Sequence, residues 1–146
     1  MPHDLPDLLR FASAAVDVHH HTLLPDDEPL SRAALDSLHG HTVALYGLLD
    51  TATVRTRAHA VAVAESDQLH TARVRLWQVC DHLHNAYHCA AHADGRMPTR
   101  EACAARLPEG APELTICQRH AATAARLRQI TTPTDLHAPV TGLIRR

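Results

Sequence analysis

The chain has 146 residues, 45% of them apolar and 21% charged, with a formal net charge of −2. That length suits a single core burying about two-thirds of the unfolded chain's surface. The charge gives no electrostatic reason to bind nucleic acid or an anionic membrane, and no run nears the ~20 apolar residues of a membrane-spanning helix.

Leu5, Leu8, Leu9, Ala12, Val16 and Leu23 recur at three- and four-residue steps and predict a first helix from Leu5 to Leu24. Pro25-Asp26-Asp27-Glu28-Pro29 breaks it, and Asp27 or Ser31 can cap a second helix striped by Ala34, Leu35, Leu38, Thr42, Leu45, Leu49 and Ala52. No Gly or Pro lies between Ala58 and Ala64, so the next break is placed at Glu65-Ser66-Asp67, which suits a first helical turn. The third stripe is Leu69, Ala72, Leu76, Val79, Cys80, Leu83, Tyr87 and Ala90, stopping before Gly95. A short helix from Thr99 to Leu107 precedes a last long one from Pro112 to Ile130, striped by Ile116, Thr123, Leu127 and Ile130. Residues 131–146 read as an irregular tail. Four long amphipathic helices with short connections predict an all-α, up-down-up-down four-helix bundle forming one domain over residues 1–146.

Cys80, Cys89, Cys103 and Cys117 include no CxxC pair, and a domain of this size needs no staples. Free thiols in a cytoplasmic protein are the expectation, and Met1-Pro2-His3-Asp4 lacks the basic start of a secretion signal.

Histidine is abundant, with 14 residues. At about 100° per residue, His19 falls inside the first stripe and His120 inside the last, while His84 lies on the flank of the third beside Cys80. His41 and His59 flank the second stripe. The row His84, His88, His92 drifts away from the core, placing His88 and His92 in solvent, and His20, His21, His39, His70 and His82 fall on outer faces. By helical rise, His84 and His120 share a layer on the order of 12 Å from one end of the bundle, with His19 about a turn nearer that end. His19, His84 and His120, with Cys117 one turn from His120, are therefore the candidate site for a divalent transition metal such as Zn, Fe, Ni or Cu. The competing expectation is ordinary core histidines bonded to their neighbours.

Other chemistries find less support. There is no Glu-x-x-His for a di-iron bundle, no HExxH and no Gly-rich phosphate loop. Cys80 with His84, and Cys117 with His120, face along one helical side, as a nucleophile and base do, but helical spacing produces such pairs by chance. Pro98 to Leu107 followed by a turn and helix imitates a helix-turn-helix, yet the second helix has a core-bound stripe. The leading reading is a non-enzymatic binding or interaction module whose partner is another protein or a second copy. The alternative is a metal-binding bundle using the inward histidines.

At Arg73-Val-Arg-Leu-Trp77, Asp81-His-Leu-His84, Leu114-Thr-Ile-Cys-Gln-Arg-His120 and Thr132-Pro-Thr-Asp-Leu-His-Ala-Pro139, the chain resembles an uncharacterised family of small histidine-rich helical proteins from high-GC bacteria. That resemblance implies no activity and no site residues. In architecture alone the chain is similar to metal-dependent bundles of the thiol-transferase type, which place three histidines on separate helices.

Overall fold

A computed structural model describes residues 5–22, 27–59, 61–90 and 115–137. They form five helices: α1 (Leu5–His21), α2 (Arg32–Arg57), α3 (Val63–Cys89), α4 (Ile116–Ile130) and the single turn α5 (Pro133–His137). No strand occurs among the described residues, and no helix there is long and apolar enough to cross a membrane. The chain divides into two compact units, residues 1–30 with α1 and residues 31–146 with the rest.

In the second unit α2, α3 and α4 pack on one another, and α5 packs on α3. Their directions follow from the side chains that meet. His39 and Asp50 of α2 face His84 and Arg73 of α3, so those helices are antiparallel. The same two residues face His120 and Arg126 of α4, so α2 and α4 run parallel.

The inward positions step alternately by four and three residues on all three helices, the spacing of a coiled-coil seam. On α2 they are Arg32, Asp36, His39, Val43, Tyr46, Asp50 and Thr53; on α3, Ser66, His70, Arg73, Trp77, Cys80, His84 and Tyr87; on α4, Ile116, His120, Thr123, Leu127 and Ile130. All are buried or half-buried. The seam is unusually polar, and its Ser and Thr hydroxyls are satisfied within their own helices: Thr53 donates to the Leu49 carbonyl (2.7 Å), Thr123 to that of Arg119 (3.0 Å) and Ser66 to that of Val63 (2.9 Å). The apolar centre is Tyr46, Val74 and Leu127, with Leu76, Trp77 and Leu136 packed against it.

This corrects the stripes read from apolar residues. Leu38 of α2 and Val79 of α3 are 40% and 47% exposed, because the true inward face is rotated toward Asp36, His39 and Cys80. Several ends move as well. α2 stops at Arg57, at the near edge of the expected span from Arg57 to Glu65, and α3 begins at Val63, not at Glu65. The break is a pair of tight turns, Ala58 N–H to the Arg55 carbonyl (3.3 Å) and His59 N–H to that of Thr56 (3.1 Å), followed by an N-cap, Ala62, with no side-chain bond. Backbone turns of this kind need no Gly or Pro. α3 ends at Cys89, where buried Arg32 donates to the carbonyls of Tyr87 (2.9 Å) and Ala90 (2.8 Å). α4 starts behind Thr115, whose capping box with Gln118 satisfies first-turn amides. Part of the tail is helical, as α5. The short helix at Thr99 to Leu107, the region of Gly95 and residues 138–146 lie outside the described residues.

Candidate metal centre

The site stands where α2 and α4 begin and α3 ends. His84 and His88, one turn apart on α3, and Cys117, in the first turn of α4, bring three donor atoms together. The Nε2 atoms of His84 and His88 are 3.0 Å apart, and Cys117 Sγ is 3.4 Å from the first and 3.2 Å from the second. Hydrogen bonds alone do not account for this triangle. A neutral imidazole Nε2 either carries a proton or offers a lone pair, so at most two of the three contacts can be one-to-one hydrogen bonds at once. A metal ion held by these residues would accept all three lone pairs. A point equidistant from the three atoms is about 1.9 Å from each, near the ~2.0–2.3 Å of Zn–N and Zn–S bonds.

Beside the triangle runs a chain of hydrogen bonds whose direction is fixed by an arginine. Asp36, 1% exposed, accepts from the guanidinium of Arg119 through its carboxylate and its carbonyl (3.1 Å to the latter). Arg119 Nε also donates to His39 Nδ1 at 3.1 Å. A guanidinium can only donate, so His39 Nδ1 is an acceptor and its proton sits on Nε2. That proton is directed to His120 Nδ1, 3.1 Å away, which leaves the His120 proton on Nε2, donating to Asp81 Oδ1 at 3.0 Å. His39 is held neutral. Burial first, then the charge of Arg119 and the neighbouring His120 and His84, push it from 6.5 down to about 3.

The chain decides which group can ligate. Asp81, His84 and His120 also lie close enough to hold an ion. For His120, however, the Nδ1 lone pair is occupied by His39 and Nε2 carries the remaining proton, so ligation there requires an imidazolate. His84, His88 and Cys117 require none. His120 instead stacks on His84 (ring centroids 4.4 Å, 26° between planes), and Trp77 stacks on the other partner of that pair, His120 (5.7 Å, 17°). Tyr87 meets His88 edge-on at 5.5 Å. Cys80 is fully buried nearby, and burial pushes its thiol up to about 11.

Of the anticipated residues, His84 and His120 come together in one layer, both 8% exposed, whereas His19 is exposed on α1 in the first unit. Three placements are corrected. His39, assigned to an outer face, is 0% exposed, and His88, assigned to solvent, is half-buried in the triangle. His70 is likewise half-buried, bonded to Arg73. His20, His21 and His82 are exposed, as are His41 and His59; His92 lies outside the described residues. The four-three ladder from Arg32 through Tyr46 to Thr53 was the signal that places His39 inside.

Fold and site together define an all-α protein whose core carries a histidine-rich polar layer. The chain belongs to the family of unknown function DUF6238, whose model matches residues 1–146. No curated protein and no solved structure matches it.

Proposed function

We propose that this protein binds one transition-metal ion through His84, His88 and Cys117, with a fourth position left for water or another ligand. The observation that carries the reading is the convergence of three donor atoms within 3.4 Å of one another, on two helices, in a pattern that protons alone do not satisfy. Two imidazoles and a thiolate suit Zn²⁺ or copper, and three protein ligands with one open position is the pattern of zinc sites that exchange ligands. Of the set His19, His84 and His120, His84 remains a ligand in this proposal. His120 takes the role of a ring packed on His84, and His19 has none. Free thiols at Cys80, Cys89 and Cys117 fit a reducing compartment such as the cytoplasm.

The four-helix up-down bundle belongs to the same proposal. α1 carries Leu8, Leu9, Phe11 and Val16 exposed, and in the second unit α2 and α3 leave Leu38, Leu48 and Val79 exposed. An interaction module, for a protein partner or a second copy, would use the same apolar side chains. The test of the metal reading is elemental analysis of protein purified without a histidine tag or nickel column. Stoichiometric metal, lost in His88→Ala and retained in His19→Ala, supports the reading, and a metal-free protein that takes up no Zn²⁺ on titration refutes it.

A further inference from the structure

Resting on the metal reading above, we infer that Cys117 is an oxidation-sensitive gate: a hydroperoxide that adds oxygen to its sulfur removes the third ligand and releases the ion. Three observations converge on this residue. Its sulfur is the sole contribution of α4 to the triangle, since His84 and His88 both stand on α3. Without it only two ligands four apart on one helix remain, a pair for which solvent competes readily. Cys117 is also half-buried, so a small oxidant can reach it, while Cys80 is fully buried and Cys89 is exposed outside the triangle.

The step is balanced as follows. The Cys117 thiolate attacks one oxygen of the hydroperoxide, an S–O bond forms, and the O–O bond breaks. Sulfur loses two electrons and the second oxygen leaves as hydroxide or alkoxide, taking up a proton from water. The product is a sulfenic acid, a poorer metal ligand than the thiolate. Sulfenic acid is the reversible rung of cysteine oxidation, so an added thiol returns the thiolate and with it the site.

The experiment uses the full chain loaded with one equivalent of Zn²⁺ and titrated with hydrogen peroxide. Released Zn²⁺ is read with a chromogenic chelator, and sulfenic acid is captured with dimedone and located by mass spectrometry. Release should track the Cys117 adduct one for one, persist in Cys89→Ser, and reverse on adding a thiol reductant. Zn²⁺ lost while Cys117 is unmodified, Zn²⁺ held with Cys117 fully adducted, or no change at a dose that converts Cys89 would each overturn the inference. Failure to load Zn²⁺ at the outset overturns the metal reading together with the gate, whereas a loaded protein that keeps its ion through Cys117 oxidation overturns the gate alone.

Discussion

Two arginine–histidine chains of similar design stand at different levels of the same bundle, and they differ in what closes them. In each, an aspartate of α2 holds an arginine whose Nε donates to a histidine Nδ1, fixing that histidine's proton on Nε2. At the first level Asp36 holds Arg119, which sets His39, which sets His120. Two heptads along α2, Asp50 holds Arg73 at 2.6 Å, and Arg73 Nε donates to His70 Nδ1 at 3.1 Å. The second chain ends at once on Asp135, 3.4 Å from His70 Nε2 and 34% exposed, and so ties α5 to the bundle. The first is buried from Asp36 to His120, passes through a second ring that stacks on His84 of the donor triangle, and ends on Asp81, 40% exposed. The same hydrogen-bond logic therefore serves as a tether for α5 in one place and as the wall of a candidate metal centre in the other, with the second histidine ring making the difference.

The largest effect should come from breaking the first chain. Arg119→Met leaves the Asp36 carboxylate buried without its charge partner, and loss of one member of a buried pair costs about 3–5 kcal/mol. At the other level Asp50 is shared between Arg73 and Arg126, and burial, which pushes its carboxyl up, is outweighed by the hydrogen bonds and charges of Arg126 and Arg73, which hold it below the ordinary range. Arg126 is 39% exposed, so Arg126→Met should cost at most about 1 kcal/mol. Urea midpoints of the two variants would break the comparison if they were equal.

A second effect separates the chains by pH. Unfolded His39 takes up a proton below its ordinary 6.5, while folded His39 resists until about 3. Its share of stability is thus complete above pH 6.5 and is lost as pH falls from there toward 3, by roughly 2 kcal/mol between pH 7.5 and pH 5 in metal-free protein. Gln at this position can accept from Arg119 and donate to His120 without titrating. His39→Gln should therefore flatten that part of the slope although Asp36, Arg119, Asp81, His84 and His120 still surround it; an unchanged slope would assign the pH dependence to another group.

How much of this was legible in the sequence follows the same division. The helical class, the layer shared by His84 and His120, and the exposure of His20, His21 and His82 were readable from periodicity and rise alone. The inward face was not, because an apolar stripe was sought where the seam carries Arg32, Asp36, His39, Asp50 and Arg73. Those residues are buried because each finds a partner on another helix, and that pairing has no local signature. His88 was misplaced for a related reason: a row that drifts from the apolar stripe still meets α4 when the true seam lies on that side.

The smallest effect concerns the tether. Asp135 also accepts from the Thr132 backbone N–H at 2.9 Å, and that bond first, then His70, holds its carboxyl below the ordinary range. Asp135→Asn keeps an acceptor for Thr132 but loses the charge, so it should cost at most ~1 kcal/mol. Faster amide exchange confined to α5 is the expected signature, and exchange spreading into α4 would show that the tether supports the bundle itself.

The proposed ligands His84, His88 and Cys117 share His84 with the neighbouring group of Asp81, His84 and His120. X-ray absorption at the zinc edge of the stoichiometrically loaded protein distinguishes them, because only the first contains sulfur. The account predicts one sulfur at about 2.3 Å together with two imidazole nitrogens at about 2.0 Å, the sulfur shell vanishing in Cys117→Ser. A first shell of nitrogen and oxygen alone, with multiple scattering from two imidazoles, would contradict it.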